Sequence, residues 1–209
     1  MAIEDLITAD LDWRENEMVN LKLITLSTEI DTPQRGVMLR AMWALLYAHY
    51  EGFFKYAWDC VLAQLDSMDL DRSSLLEPLE ILSMESLIKE TRKGLPTKDV
   101  LDFCKRFNDM YQLPAKFEVR LDTESNLYPN VIDDNNAILN INLVSLDTHR
   151  AHLKALVARR NKIAHGEVMT IRDIDHYTEY ENAALSVMHE FAVKCVDYIN
   201  NAEYIKQTA

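Results

Sequence analysis

Glycine and proline are scarce, four and five in 209 residues. So few chain breakers exclude a turn-rich β architecture and favour long helices. Cysteine is rarer still. Cys60, Cys104 and Cys195 are odd in number and far apart, which suits reduced thiols in a cytoplasm and fits neither a disulfide framework nor a zinc site. No stretch reaches the roughly 18 uncharged apolar residues of a membrane span. The opening Met-Ala-Ile-Glu-Asp has no basic region leading into an apolar run, so no secretory signal is expected. Repeats, low-complexity tracts, glycine-rich phosphate loops, a Ser-His-Asp arrangement and Cys-x-x-Cys are all missing. His149 and His152 stand three apart without a third ligand nearby, so neither a metal nor a cofactor is expected. The expectation is a cytoplasmic protein without membrane contact.

Hydrophobic residues make up 48% and charged residues 27%, the balance of an ordinary globular protein. The length suits one domain over 1–209 with a sizeable core. The net charge of −12 argues against sequence-blind binding to duplex DNA, which needs many phosphate contacts. The charge is unevenly spread. Residues 148–166 hold Arg150, Lys154, Arg159, Arg160 and Lys162 and no acidic residue. That window carries +5 and the remainder −17, the difference between −12 and +5. Screening confines such effects to about 8–10 Å, so a local basic surface on an acidic body can still hold phosphates.

The apolar spacing predicts a helix over 4–30, then a second from Gln34 to about Leu65, opened by Pro33 at a position where proline is tolerated. The second helix is apolar nearly all round and is expected to be central. Helices are predicted over 75–93 and 99–111. Residues 114–145, with Pro114, Pro129 and the Asp-Asp-Asn-Asn run at 133–136, read as an irregular insertion. Within it the alternation at 116–121 permits a short strand. A helix returns over 147–165 with Gly166 as its C-terminal cap. Thr170 and Asp173 suggest a capping box before a last helix reaching about Tyr204. The class is an all-α bundle of long antiparallel helices.

The most informative segment is Ala158-Arg159-Arg160-Asn161-Lys162-Ile163-Ala164-His165-Gly166-Glu167. Here Arg160 is followed by a polar residue and, after four intervening residues, by His165. This resembles the signature of the HEPN superfamily, in which four to six residues lie between the arginine and the histidine. The stretch Tyr47–Lys55 is similar to the second helix of the MAE-type branch, and Ile171–Ile205 to its last helix. The resemblance implies a helical bundle and a ribonuclease that needs no metal, in a toxin or antiviral setting.

On a helix, residues five apart are rotated by about 140°, so Arg160 and His165 do not project side by side. The resemblance implies a homodimer in which two motif helices meet across a two-fold axis and build one cleft. The chemistry of the residue types assigns the roles. His165 serves acid–base chemistry, Arg160 stabilises phosphate charge, and Asn161 orients His165 or the phosphate. Histidine exchanges protons near neutral pH, and arginine offers forked donors to phosphate. Arg159, Lys162 and Lys154 are candidates for RNA binding. Glu51, with His49 beside it, is a candidate support for Arg159 or Arg160, against a plain packing role for both. The remaining histidines, and tyrosines such as Tyr47 and Tyr177, read as packing residues. The rival function is a non-catalytic HEPN module that binds RNA or nucleotide, or dimerises, under the control of a protein partner such as an antitoxin.

Overall fold

The computed structural model describes residues 2–92, 94 and 96–207. Among them lie seven α-helices and no strand: α1 (Ile3–Ser27), α2 (Pro33–Asp66), α3 (Glu77–Arg92), α4 (Thr97–Tyr111), α5 (Pro129–Leu139), α6 (Val144–Ala164) and α7 (Ile174–Asn200). The all-α expectation holds.

Helix α2 is the axis of the bundle and packs against α1, α6 and α7. Thr32 caps it by accepting the Arg35 N–H, and Pro33 fills its first turn. Trp43, Tyr50, Phe53, Phe54, Trp58 and Leu62 on α2 are fully covered. Phe54 stacks on Phe191 of α7 with centroids 4.6 Å apart and planes 10° apart. A covered aromatic side chain is worth a few kcal/mol of transfer free energy, so this row of rings sets where α7 lies. Gly52 marks the close approach of α1. A β-carbon there would stand 2.7 Å from Arg14 Nη1, whose guanidinium is paired with buried Asp10 at 2.7 Å.

Residues 114–139 depart from expectation. There is no strand at 116–121. The Phe117 N–H donates to the Asp66 carboxylate at 2.7 Å, and the Ala115 N–H to the Leu70 carbonyl at 2.8 Å. The alternation is real, with Ala115, Phe117 and Leu121 buried, but the segment lies extended against the helices with no neighbouring strand. The Asp-Asp-Asn-Asn run is helical, inside α5. Its Asn136 is buried and accepts from Trp58 Nε1 at 2.9 Å. The presumed insertion is therefore part of the core. Farther along, Asp173 itself caps α7 by accepting the His176 N–H at 2.8 Å, so Thr170 opens no capping box.

Helix α6 is fixed at both ends. At its start, Glu190 of α7 accepts the Val144 and Ser145 N–H groups at 2.9 and 2.8 Å, and the Ser145 hydroxyl as well. At its end, Gly166 takes φ +76°, its N–H reaches the Ile163 carbonyl and the Glu167 N–H the Lys162 carbonyl. This is the glycine-closed C-terminus expected from sequence.

Burial would raise the Glu190 carboxyl, but the hydrogen bonds from Ser145 and Val144 outweigh it and hold it below its ordinary value. The sign follows. A folded value below the unfolded one gives stabilisation that is complete at neutral pH and lost as pH falls through the folded value. Glu190→Ala is expected to lower stability by about 1 kcal/mol, the usual scale for a helix cap. Acid unfolding followed by circular dichroism should be shallower in the variant than in the parent.

Candidate active site

Three side chains spaced four apart along α2, Trp43, Tyr47 and Glu51, form one stripe toward α6. Trp43 Nε1 donates to the Leu156 carbonyl at 3.3 Å. The Arg160 guanidinium carbon lies 3.7 Å from the Tyr47 ring centroid, and its Nη2 stands 3.8 Å from Glu51 Oε2. Tyr47 is anchored from its far end, where its hydroxyl accepts the Leu127 N–H at 2.9 Å. Burial pushes the Tyr47 phenol above its ordinary value, so the ring under Arg160 is neutral. Arg160 is therefore held flat on an aromatic face, with Glu51 at a loose ion-pair distance. Its Nε is buried without a hydrogen-bond partner. Around it Ala44, Ala48, Ile163 and Ala164 leave a hollow of about 290 Å³.

Arg159, next in sequence, turns the other way. Its guanidinium carbon lies 4.9 Å from the Trp43 ring and 5.0 Å from the Tyr180 ring, and its Nη1 is 3.0 Å from His176 Nε2. Arginine only donates, so His176 Nε2 is the acceptor and the imidazole is neutral, with its proton on Nδ1. This is a packing role for Arg159, engaged by three residues, and not that of a cation reaching freely into solvent. Arg150, within the same basic window, is held by Asp133 at 2.7 Å and Asp147 at 2.7 Å. Lys154 and Lys162 are exposed and make no ion pair among the described residues. The basic surface is thus narrower than the sequence suggests: Lys154, Lys162 and the exposed edge of Arg160.

His165 caps the end of α6 and is exposed, its N–H donating to the Asn161 carbonyl at 2.9 Å. Asn161 is half-buried. Among the described residues no side-chain contact joins Arg160, Asn161 and His165 within one chain, and the rotation of about 140° sets Arg160 apart from His165. Glu51 meets Arg160, but His49 does not join them. His49 is buried on the side of α2 facing α1, edge-on to Trp13 at 5.2 Å. Its Nε2 is 2.8 Å from Glu17 Oε2, without hydrogen-bond geometry. Among the described residues no three metal-ligating side chains cluster, and no helix is long and apolar enough to cross a membrane.

A family model described as HEPN_MAE_28990/-like HEPN matches residues 3–204. The chain belongs to that HEPN family. No curated protein and no solved structure matches it. The match takes in α1 to α7, the hollow and the motif helix, and it includes the α5 region that looked like an insertion.

Sequence reasoning missed three residues here: Tyr47 as the platform under Arg160, and Trp43 with His176 as the seat of Arg159. The four-residue spacing of Trp43, Tyr47 and Glu51 was the available signal. His176 carried none, because its role depends on the packing of α7.

Burial, then the nearby Arg159 and Arg172 charges, lower the pKa of His176 below its ordinary value, against smaller opposing effects of Glu179 and Asp173. The folded state therefore favours the neutral ring. The stabilisation is present above the unfolded value of about 6.5 and is lost as pH falls toward the folded value. Burial lowers His49 in the same direction, so the two add. Proton NMR should show His176 titrating below 6.5, and His176→Gln should remove part of the stability loss on acidification. A His176 that titrates above that value would contradict the Arg159 contact.

Proposed function

We propose that this HEPN protein is a metal-independent endoribonuclease whose cleft is completed by a second copy of the chain. The observation that supports it is Arg160, stacked on Tyr47 beside an open hollow, on the same helix as an exposed His165 that it cannot reach. A two-fold axis near the end of α6 brings two such helices together and supplies two arginines and two histidines to one cleft. The ribose 2′-oxygen attacks the adjacent phosphorus while the P–O5′ bond breaks. One His165 takes the 2′-hydroxyl proton, and the partner's His165 delivers a proton to the departing 5′-oxygen. Arg160 donates to the phosphate oxygens, where negative charge grows. Asn161 orients histidine or phosphate. Glu51 positions the guanidinium, and Lys154 and Lys162 guide the RNA backbone. The products are a 2′,3′-cyclic phosphate and a 5′-hydroxyl. Such an activity suits a toxin or antiviral effector restrained by an antitoxin or another defence protein.

Purified protein incubated with RNA in EDTA should cleave it, and a substrate lacking the 2′-hydroxyl should resist. Arg160→Ala and His165→Ala should stay folded and each lose at least about 100-fold in rate, the scale of one acid–base group or one transition-state donor. The double variant should be little worse than either, because the groups act as a unit. Affinity should fall with salt by a slope reflecting only a few phosphates, and Lys154→Gln with Lys162→Gln should weaken binding more than saturated cleavage. A His165→Ala variant as fast as the parent would leave a binding module that cuts nothing.

A further inference from the structure

Along the seam of α1 and α7 the chain carries a second surface with the opposite charge. Helices α1 and α7 run antiparallel, as the pairs Lys22–Glu181 and Glu15–His189 require. Between them lies a groove of about 370 Å³. Its floor is apolar, with Ile7 and Leu11 from α1 and Val193 and Val196 from α7. Ile7 and Leu11 are core residues, whereas Val193 is 60% exposed. Its rim is acidic, with Glu4 and Asp12 on one side and Asp197 on the other, and no lysine or arginine lines it. The contact of Glu15 with His189, at 2.5 Å, closes one end. From Glu4 to Glu15 a helix rises about 16 Å, which is about three turns.

We propose that this groove docks a basic amphipathic helix belonging to a different protein. An apolar stripe laid on the floor would cover Val193 and Val196, and lysines or arginines flanking that stripe would meet Glu4, Asp12 and Asp197. A third helix in the seam of two antiparallel helices is a recurrent mode of recognition, and complementary charge sets orientation and excludes acidic competitors. RNA does not fit, since the rim carboxylates repel phosphate. A second copy of this chain fits poorly. Its basic helix is α6, whose exposed stripe of Ala151, Lys154, Ala158 and Lys162 offers only methyl groups to a floor that needs larger side chains. The proposal does not depend on nuclease activity, because the groove shares no residue with the hollow around Arg160.

The test uses a fluorescent synthetic helix of about four turns, with leucines spaced three and four apart and lysines elsewhere. A matched peptide carries glutamate in place of lysine. By anisotropy the leucine–lysine peptide should bind the full-length protein at micromolar concentration, and the leucine–glutamate peptide at least about tenfold more weakly. Val193→Glu, and separately Asp12→Lys with Asp197→Lys, should each cost at least about tenfold while circular dichroism stays unchanged. Amide shifts on binding should concentrate in residues 3–15 and 189–197. Equal binding of the two peptides, affinity unchanged in the variants, or shifts confined to other elements would overturn the proposal. So would a self-associated parent that Val193→Glu converts to monomer in sedimentation, since the groove would then belong to a second copy.

Discussion

Two adjacent arginines with opposite destinations organise this molecule. Arg159 lies against Trp43, Tyr180 and His176, while Arg160 lies on Tyr47 within reach of Glu51. Helix α6 buries no residue after Val157, so apolar burial alone leaves its last two turns weakly fixed. The stacked guanidinium groups supply what the core does not, each worth about 0.5–2 kcal/mol, more where it is desolvated. Their aromatic partners Trp43 and Tyr47 sit on α2, the most buried element of the bundle. The position of the motif helix is therefore tied directly to the core.

The same arrangement accounts for the chemistry proposed for the end of α6. An arginine held flat on a neutral ring has already lost much of the rotamer freedom that phosphate binding would otherwise cost it. The loose 3.8 Å contact with Glu51 leaves donors that a phosphate can occupy. His165, past the last full turn, is exposed where another surface can reach it. The glycine closure after it turns the chain away and keeps that end of the helix open.

Much of the fold was legible in the sequence because the strongest signals are local. The apolar periodicity of α2, Pro33 at its start and Gly166 after α6 act within a few residues of where they are read. Helix α5 was not legible. Asp133 to Asn136 look like a loop, yet Asn136 is buried as the acceptor of Trp58 Nε1, a bond between residues 78 apart in sequence. The alternation at 116–121, which permitted a short strand, marks one buried face instead, because only a neighbouring strand would make it a β-strand. At the candidate site, the link between Glu51 and Arg160 could be anticipated from the resemblance. The fate of Arg159 could not, because a charge run shows how many cations are present and not which of them an aromatic pocket has taken.

The composite cleft is the claim on which the functional reading depends, and subunit complementation tests it most directly. Arg160→Ala and His165→Ala proteins, each inactive alone, are mixed under conditions that exchange subunits and assayed on RNA in EDTA. A cleft shared between copies predicts that cleavage returns in part in the mixture, since a mixed dimer keeps one Arg160 and one of the two His165 side chains, from opposite chains, whereas each variant alone has lost both copies of one of them. A mixture that exchanges subunits yet stays as inactive as its components would contradict the account.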